Sequence, residues 1–220
     1  MTLQNRIDHV EQRIQTAAAR AGRKRDEITL VAVTKKFGPE IMREAYDLGL
    51  RIFGENYVQE WQGKQPALAD LADVEFHLIG HLQSNKTRVA AELFSVIETV
   101  DSAKLARRLN ENGRELEVMI EVKLSEEESK AGAAPAELPA LIEAIRGCEN
   151  LRLTGLMTMP PWCDDPETTR PYFRKLAALA REHQLPRLSM GMSHDLEAAI
   201  EEGATHVRVG TALFGARPKA

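Results

Sequence analysis

The chain has 220 residues, 43% hydrophobic and 28% charged, with 29 Lys and Arg against 33 Asp and Glu for a net charge of −4. That balance suits one sizeable soluble domain and argues against nucleic acid as a partner, since no basic footprint exists to meet phosphates. No apolar run approaches the ~20 residues that span a bilayer, the opening residues lack an apolar signal core, and two cysteines give neither a disulfide framework nor metal-ligand spacing, so a reduced, cytoplasmic protein is expected.

Taken in order, Leu3, Ile7, Val10 and Ile14 recur at spacings of four, three and four and predict an amphipathic helix closed at Gly22. Because it precedes the first strand, the segment 1–22 is expected to pack outside whatever follows. The run Ile28 to Lys35 is apolar and β-branched, suited to a strand buried on both faces of a parallel sheet. A helix follows from Pro39 to near Gly49, with proline inside its start and glycine past its end. Arg51 to Gly54 is a short second strand, and a helix from about Glu55 carries Tyr57, Val58 and Trp61. Glu75 to Gly80 is the third strand and Ser84 to Leu93 its helix. Ser95 to Val100 is the fourth, after which Asp101 or Ser102 can cap a helix ending at Gly113. Glu117 to Val122 leads into a charged, exposed loop from Ser125 to Ala134 and a helix with Leu138, Leu141, Ile142 and Ile145. Leu151 to Leu156 is the sixth strand, with a helix between Pro166 and His183. Arg187 to Met190 is the seventh, before a helix that Ser193 can cap and Gly203 closes. His206 to Gly210 is the eighth.

Eight strand–helix units in alternation, with no linker or low-complexity tract, admit an open doubly wound sheet or a closed (β/α)8 barrel. The count of eight favours an α/β protein built as a single TIM-like barrel over residues 1–220, with the extra N-terminal helix outside it.

Such folds gather their chemistry at the carboxyl ends of the strands, where Lys35 stands. It is either a solvated lysine at a strand–loop junction or an amine that forms a Schiff base. Barrel closure would set the eighth strand beside the first. Arg208 alternates with Val207 and Val209, so it would share the mouth with Lys35 if the valines face the helices; otherwise it is a salt-bridged surface residue. The turns Met190-Gly191-Met192-Ser193 and Gly210-Thr211 follow strands seven and eight, the slots where barrels often hold phosphate. There, backbone amides and a helix start would face an anion. Ser193-His194-Asp195 are contiguous and form no triad. His77 and His81 straddle a strand end and a turn, which rules out a helical metal pair, though His77 could still line the mouth. Lys86 reads as a solvated residue of a first helical turn.

An imine-forming lysine, an arginine and a phosphate cradle together suggest pyridoxal 5′-phosphate. Burial in an apolar mouth favours the neutral amine that an aldehyde requires. A guanidinium keeps its proton, so against the pyridine nitrogen it leaves that nitrogen unprotonated and the ring a weak electron sink.

At these residues the chain resembles the pyridoxal phosphate homeostasis protein family. The matching segments are Val33-Thr34-Lys35, the stretch from Phe53 to Glu60, the stretch from His77 to Lys86, Ser129-Lys130-Ala131-Gly132, Gly155-Leu156-Met157, Met190 to Ser193, and Arg208 to Gly215. They run in the family's order over nearly the whole chain. The resemblance implies the barrel of alanine racemase and a carrier that buffers pyridoxal 5′-phosphate without established turnover. Its candidate recipients are pyridoxal phosphate-dependent apoenzymes. It implies Lys35 as the imine lysine and Arg208 at the pyridine nitrogen. Met192, Ser193, Gly210 and Thr211 would hold the phosphate, and Asn56 and His77 would line the ring pocket. Lys130 would meet ligand from its loop; Lys36 and His194 receive no role.

One rival is a pyridoxal phosphate-dependent amino-acid racemase, which needs a base on each face of its substrate. Racemases of this fold draw the second base, a tyrosine, from an added β-domain for which the sequence has no room, and Tyr46, Tyr57 and Tyr172 fall in predicted helices. A second rival is a Schiff-base aldolase without cofactor, which would be colourless. Without a racemase partner domain, a monomer is expected.

Overall fold

Branched apolar runs become strands, and stripes of apolar residues at helical spacing become the layer that covers them, throughout the residues that this computed structural model describes, 1–125 and 131–216. In chain order these are α1 (Leu3–Arg20), β1 (Thr29–Val33), α2 (Pro39–Asp47), β2 (Ile52–Glu55), α3 (Val58–Lys64) and β3 (Glu75–Leu78). Then come α4 (Thr87–Leu93), β4 (Val96–Val100), α5 (Ala103–Asn110), β5 (Leu116–Glu121), α6 (Leu138–Arg146) and β6 (Leu151–Met157). The chain ends its alternation with α7 (Arg170–Glu182), β7 (Arg187–Met192), α8 (Leu196–Glu201), β8 (His206–Val209) and the single turn α9 (Thr211–Phe214).

The strands are parallel and close in the order β1 to β8. The seam is β1 against β8, with Val31 opposite Arg208 and Ala32 opposite Val209. Along each strand alternate side chains turn outward to the helices or inward. On β1, Leu30 and Ala32 join the core shared with the helices. On β8, Val207 and Val209 do the same, so Arg208 turns inward, as the alternation predicts. The stripe Leu3, Ile7, Val10 and Ile14 is buried, and α1 lies on α8 and α9 outside the barrel. Arg13 ties that helix to Glu197 at 2.6 Å and to the Ser193 carbonyl at 3.0 Å.

Close backbone approach at the top of β3 sets one wall of the interior. A Cβ on Gly80 would lie 2.2 Å from the Asn56 carbonyl oxygen, and the Gly80 carbonyl accepts from Thr99 Oγ1 at 2.8 Å. Gly80→Ala is therefore expected to cost about 1–3 kcal/mol by overpacking. Thermal denaturation should record this as a fall in Tm of roughly 5 °C; an unchanged Tm would contradict the close approach.

Candidate functional site

The first strand ends at Val33, two residues earlier than its apolar run suggests. Thr34 to Phe37 form a tight turn closed by the Phe37 N–H on the Thr34 carbonyl at 3.0 Å. Lys35 and Lys36 occupy its two central positions, with Lys36 at φ 67°. The turn aims Lys35 into a cavity of about 510 Å³ at the carboxyl ends of the strands, while Lys36 is exposed. Val33, Phe37 and Ile79 form apolar walls, together with Met159 and Trp162 of the loop after β6. That volume and mix of apolar wall with few polar groups is typical of a small-molecule site.

Arg208 also lines the cavity, although it is only 3% exposed. Its Nη1 donates to Ser189 Oγ at 2.6 Å and its Nη2 to the Thr158 carbonyl at 2.8 Å. Ser189 in turn donates to Glu98, whose other carboxylate oxygen is 2.7 Å from His77 Nδ1. Burial works against the charge on Arg208, while the carboxylates of Glu98, Glu121 and Asp195 support it. Burial would also neutralise His77 and Glu98, but their mutual contact wins. His77 is raised to about 9 with help from Glu75, whose carboxylate stands 3.6 Å away, too far for a hydrogen bond. Glu98 is lowered to about 2 by His77 and Arg208. The interior is thus a fixed relay of charges that holds the guanidinium in one orientation.

Met192, Ser193, Gly210 and Thr211 also line the cavity. Ser193 does not cap the following helix. Asp195 occupies the cap position of α8, and its carboxylate accepts the Met192 N–H at 2.7 Å. The Ser193 hydroxyl instead accepts from the amides of Gly210 and Ala212, at 3.3 and 3.1 Å. It stitches the loops after β7 and β8 together with an acceptor oxygen on backbone donors, the place an anion's oxygen would take. Asn56 lines the cavity too, its side-chain oxygen buried without a hydrogen-bond partner. A buried polar atom left open on a cavity wall is an acceptor for a ligand to satisfy.

Known proteins resemble the chain in sequence and fold. The alanine racemase N-terminal domain family matches residues 6–218. The chain is 46% identical to the pyridoxal phosphate homeostasis protein of Aquifex aeolicus, over 96% of this chain and 97% of that one. It is 48% identical to the protein of that name from Pseudomonas aeruginosa, over 98% and 96%. The chain belongs to the pyridoxal phosphate homeostasis protein family. PipY of Synechococcus elongatus, solved with PLP bound, superposes with a TM-score of 0.86 at 38% identity, over 97% of this chain and all of that one. The alanine racemase of Corynebacterium glutamicum shares the fold at 21% identity and a TM-score of 0.70, this chain spanning 61% of it.

For this member of the pyridoxal phosphate homeostasis proteins, seven of the eight residues expected in the site line one cavity: Lys35, Asn56, Met192, Ser193, Arg208, Gly210 and Thr211. His77 does not. It faces the barrel interior, 1% exposed, beneath the cavity wall that Ile79 supplies two residues later. Its contact with the site runs through Glu98 and Ser189. Lys130 lies outside the described residues. Trp162, Met159 and the Glu98–Ser189 relay are the residues that sequence reasoning missed. Trp162 packs on His194, ring centroids 4.8 Å apart, and the His194 Nε2 meets the Asp164 carbonyl at 2.8 Å. Among the described residues, no group of three His, Cys, Asp or Glu could hold a metal ion, and no helix is long and apolar enough to cross a membrane.

Glu121, the last residue of β5, is 3% exposed, and its Oε2 has no hydrogen-bond partner. Burial pushes its carboxyl up to about 7; the negative charge of Asp101 adds to that and Arg208 opposes it. An unfolded chain would ionise this group near 4.5, so raising pH from there through 7 favours the unfolded chain. Glu121→Gln removes that penalty and is expected to stabilise the protein above pH 7 by up to about 3 kcal/mol, with no gain at pH 4.5. Calorimetric melts at the two pH values check it; equal gains at both would contradict the ionisation argument.

Proposed function

We propose that this protein holds pyridoxal 5′-phosphate on Lys35 and acts as a carrier and buffer of that cofactor, without turnover. The observation that carries the reading is the convergence of Lys35, Arg208 and the Ser193–Gly210–Thr211 cradle on one cavity, in a family whose members bear the name pyridoxal phosphate homeostasis protein. When bound, the cofactor supplies an aldehyde carbon that accepts an amine and an aromatic ring able to delocalise charge. Lys35, lining the cavity, would supply the amine that bonds that carbon. Ser193, Met192, Gly210 and Thr211 would hold the phosphate, one of whose oxygens would take the place that the Ser193 hydroxyl occupies on the Gly210 and Ala212 amides. Asn56 presents its open side-chain amide to the ring's polar edge.

Arg208 governs reactivity. Its guanidinium donates and cannot accept, so a ring nitrogen facing it stays unprotonated. The relay through Ser189, Glu98 and His77 keeps it in place. A racemase would need a second base across the cavity. Tyr46, Tyr57 and Tyr172 are all absent from the described cavity wall. We take the recipients to be pyridoxal phosphate-dependent apoenzymes, and the carrier to be a cytoplasmic monomer.

The test is to load the protein with pyridoxal 5′-phosphate, record its visible absorption, and incubate it with L-alanine while following chirality. A visible band with no loss of chirality supports the carrier. Loss of chirality at enzymatic rates, at or above about 1 per second, would replace it with the racemase, and a colourless protein would favour an aldolase.

A further inference from the structure

Behind β1, on the side away from the cavity, a buried cluster of charges grips the turn that carries Lys35. Glu55 ends β2 with its carboxylate fully buried. Its Oε1 accepts from Thr34 Oγ1 at 2.8 Å and from Lys64 Nζ at 2.9 Å. Lys64 closes α3 and also donates to the Thr34 carbonyl at 3.1 Å. Its ammonium pairs with Glu60 Oε1 at 2.6 Å, and the same oxygen accepts the Lys36 N–H at 2.5 Å. The residues immediately before and after Lys35 are thereby both anchored to one ion cluster. A buried charge cluster is worth little as a source of stability, because desolvation offsets the attraction. Burial pushes the Glu55 carboxyl above its ordinary range, with Lys64 opposing. What the cluster does supply is geometry: it holds Lys36 in the left-handed region (φ 67°), which a side chain adopts only when its surroundings enforce it.

The consequence falls on two adjacent lysines that the chain itself does not distinguish. With Lys36 left-handed, the two side chains diverge, Lys35 to the cavity and Lys36 to solvent. The geometry points to Glu55, Glu60 and Lys64 as positioning residues that present Lys35 to the cavity and keep Lys36 out of it, so that one amine alone meets the ligand's carbonyl carbon. None of the three lines the described cavity wall, so their action passes through the backbone of the turn. This inference rests on the reading that Lys35 bonds pyridoxal 5′-phosphate.

The experiment compares Glu60→Ala, Glu60→Gln and Lys64→Met with the full-length wild type. In the unloaded proteins, NMR hydrogen exchange at the Lys36 amide should quicken about tenfold in Glu60→Ala and return toward wild type in Glu60→Gln, whose amide oxygen still accepts. With pyridoxal 5′-phosphate, the visible band should form about tenfold more slowly in Glu60→Ala and Lys64→Met. Borohydride reduction and peptide mapping should then find label shared with Lys36, where the wild type carries it on Lys35 alone. In a Lys35→Ala background the same substitutions should not weaken the remaining affinity. Wild-type rates with label confined to Lys35, or an equal loss in the Lys35→Ala background, would overturn the proposal. A wild type that takes no label at all would sink the cofactor reading instead, and exchange at Lys36 would still decide whether the cluster holds the turn.

Discussion

Lys35→Ala is expected to abolish both the visible absorption of the cofactor-loaded protein and its borohydride-stable label, leaving weak binding through the phosphate. The argument starts from the turn: Lys35 lines the cavity, Lys36 is exposed, and the backbone between them is fixed, so the neighbour cannot substitute. What remains is an anion site of Ser193 and nearby amides. Hydrogen bonds to a charged group contribute about 1.5–3 kcal/mol each, so two of them correspond to a Kd in roughly the millimolar range. Calorimetric titration with pyridoxal 5′-phosphate, and competition by inorganic phosphate, measure this directly. A persistent visible band, or affinity equal to wild type, would remove Lys35 from its assigned role.

Arg208→Met should damage the fold itself. The guanidinium sits 3% exposed among Ser189, the Thr158 carbonyl and the charge of Glu98. Taking it away leaves Glu98 ionised in the barrel interior with only His77 as a cationic partner. Breaking a buried charge pair from one side costs about 3–5 kcal/mol, which for a chain of this length corresponds to a fall in Tm of about 10 °C. Adding Glu98→Gln removes the stranded charge, so the double variant should recover part of the loss, a non-additivity that a double-mutant cycle resolves. Independent, additive losses would show that Arg208 and Glu98 do not share one network.

Much of the architecture was legible because strands such as β1 and β4 are short apolar runs rich in β-branched residues, and because eight strands alternate with helices. The sequence could place Lys35 and Arg208 in one mouth only on the condition that Val207 and Val209 face the helices, which the structure meets. Three features were not legible. The strand ends at Val33 rather than Lys35 because Glu55, Glu60 and Lys64 bend the next residues into a turn, an effect of partners up to 30 residues away. Ser193 reads as a helix cap, yet its hydroxyl serves the amides of a different loop, a choice only tertiary contact can make. His77 was expected on the ring pocket because it stands near the end of its strand, but it faces a deeper level of the interior than Ile79. The relay behind Arg208 did leave a signal: Glu98 is the one carboxylate in the apolar strand β4, at a position that alternation sends inward.

The most direct test is to load the wild-type protein with pyridoxal 5′-phosphate, reduce it with borohydride, and map the labelled peptide. One pyridoxyl group on Lys35 is the predicted result. Label on Lys36, on another lysine, or on none would contradict it.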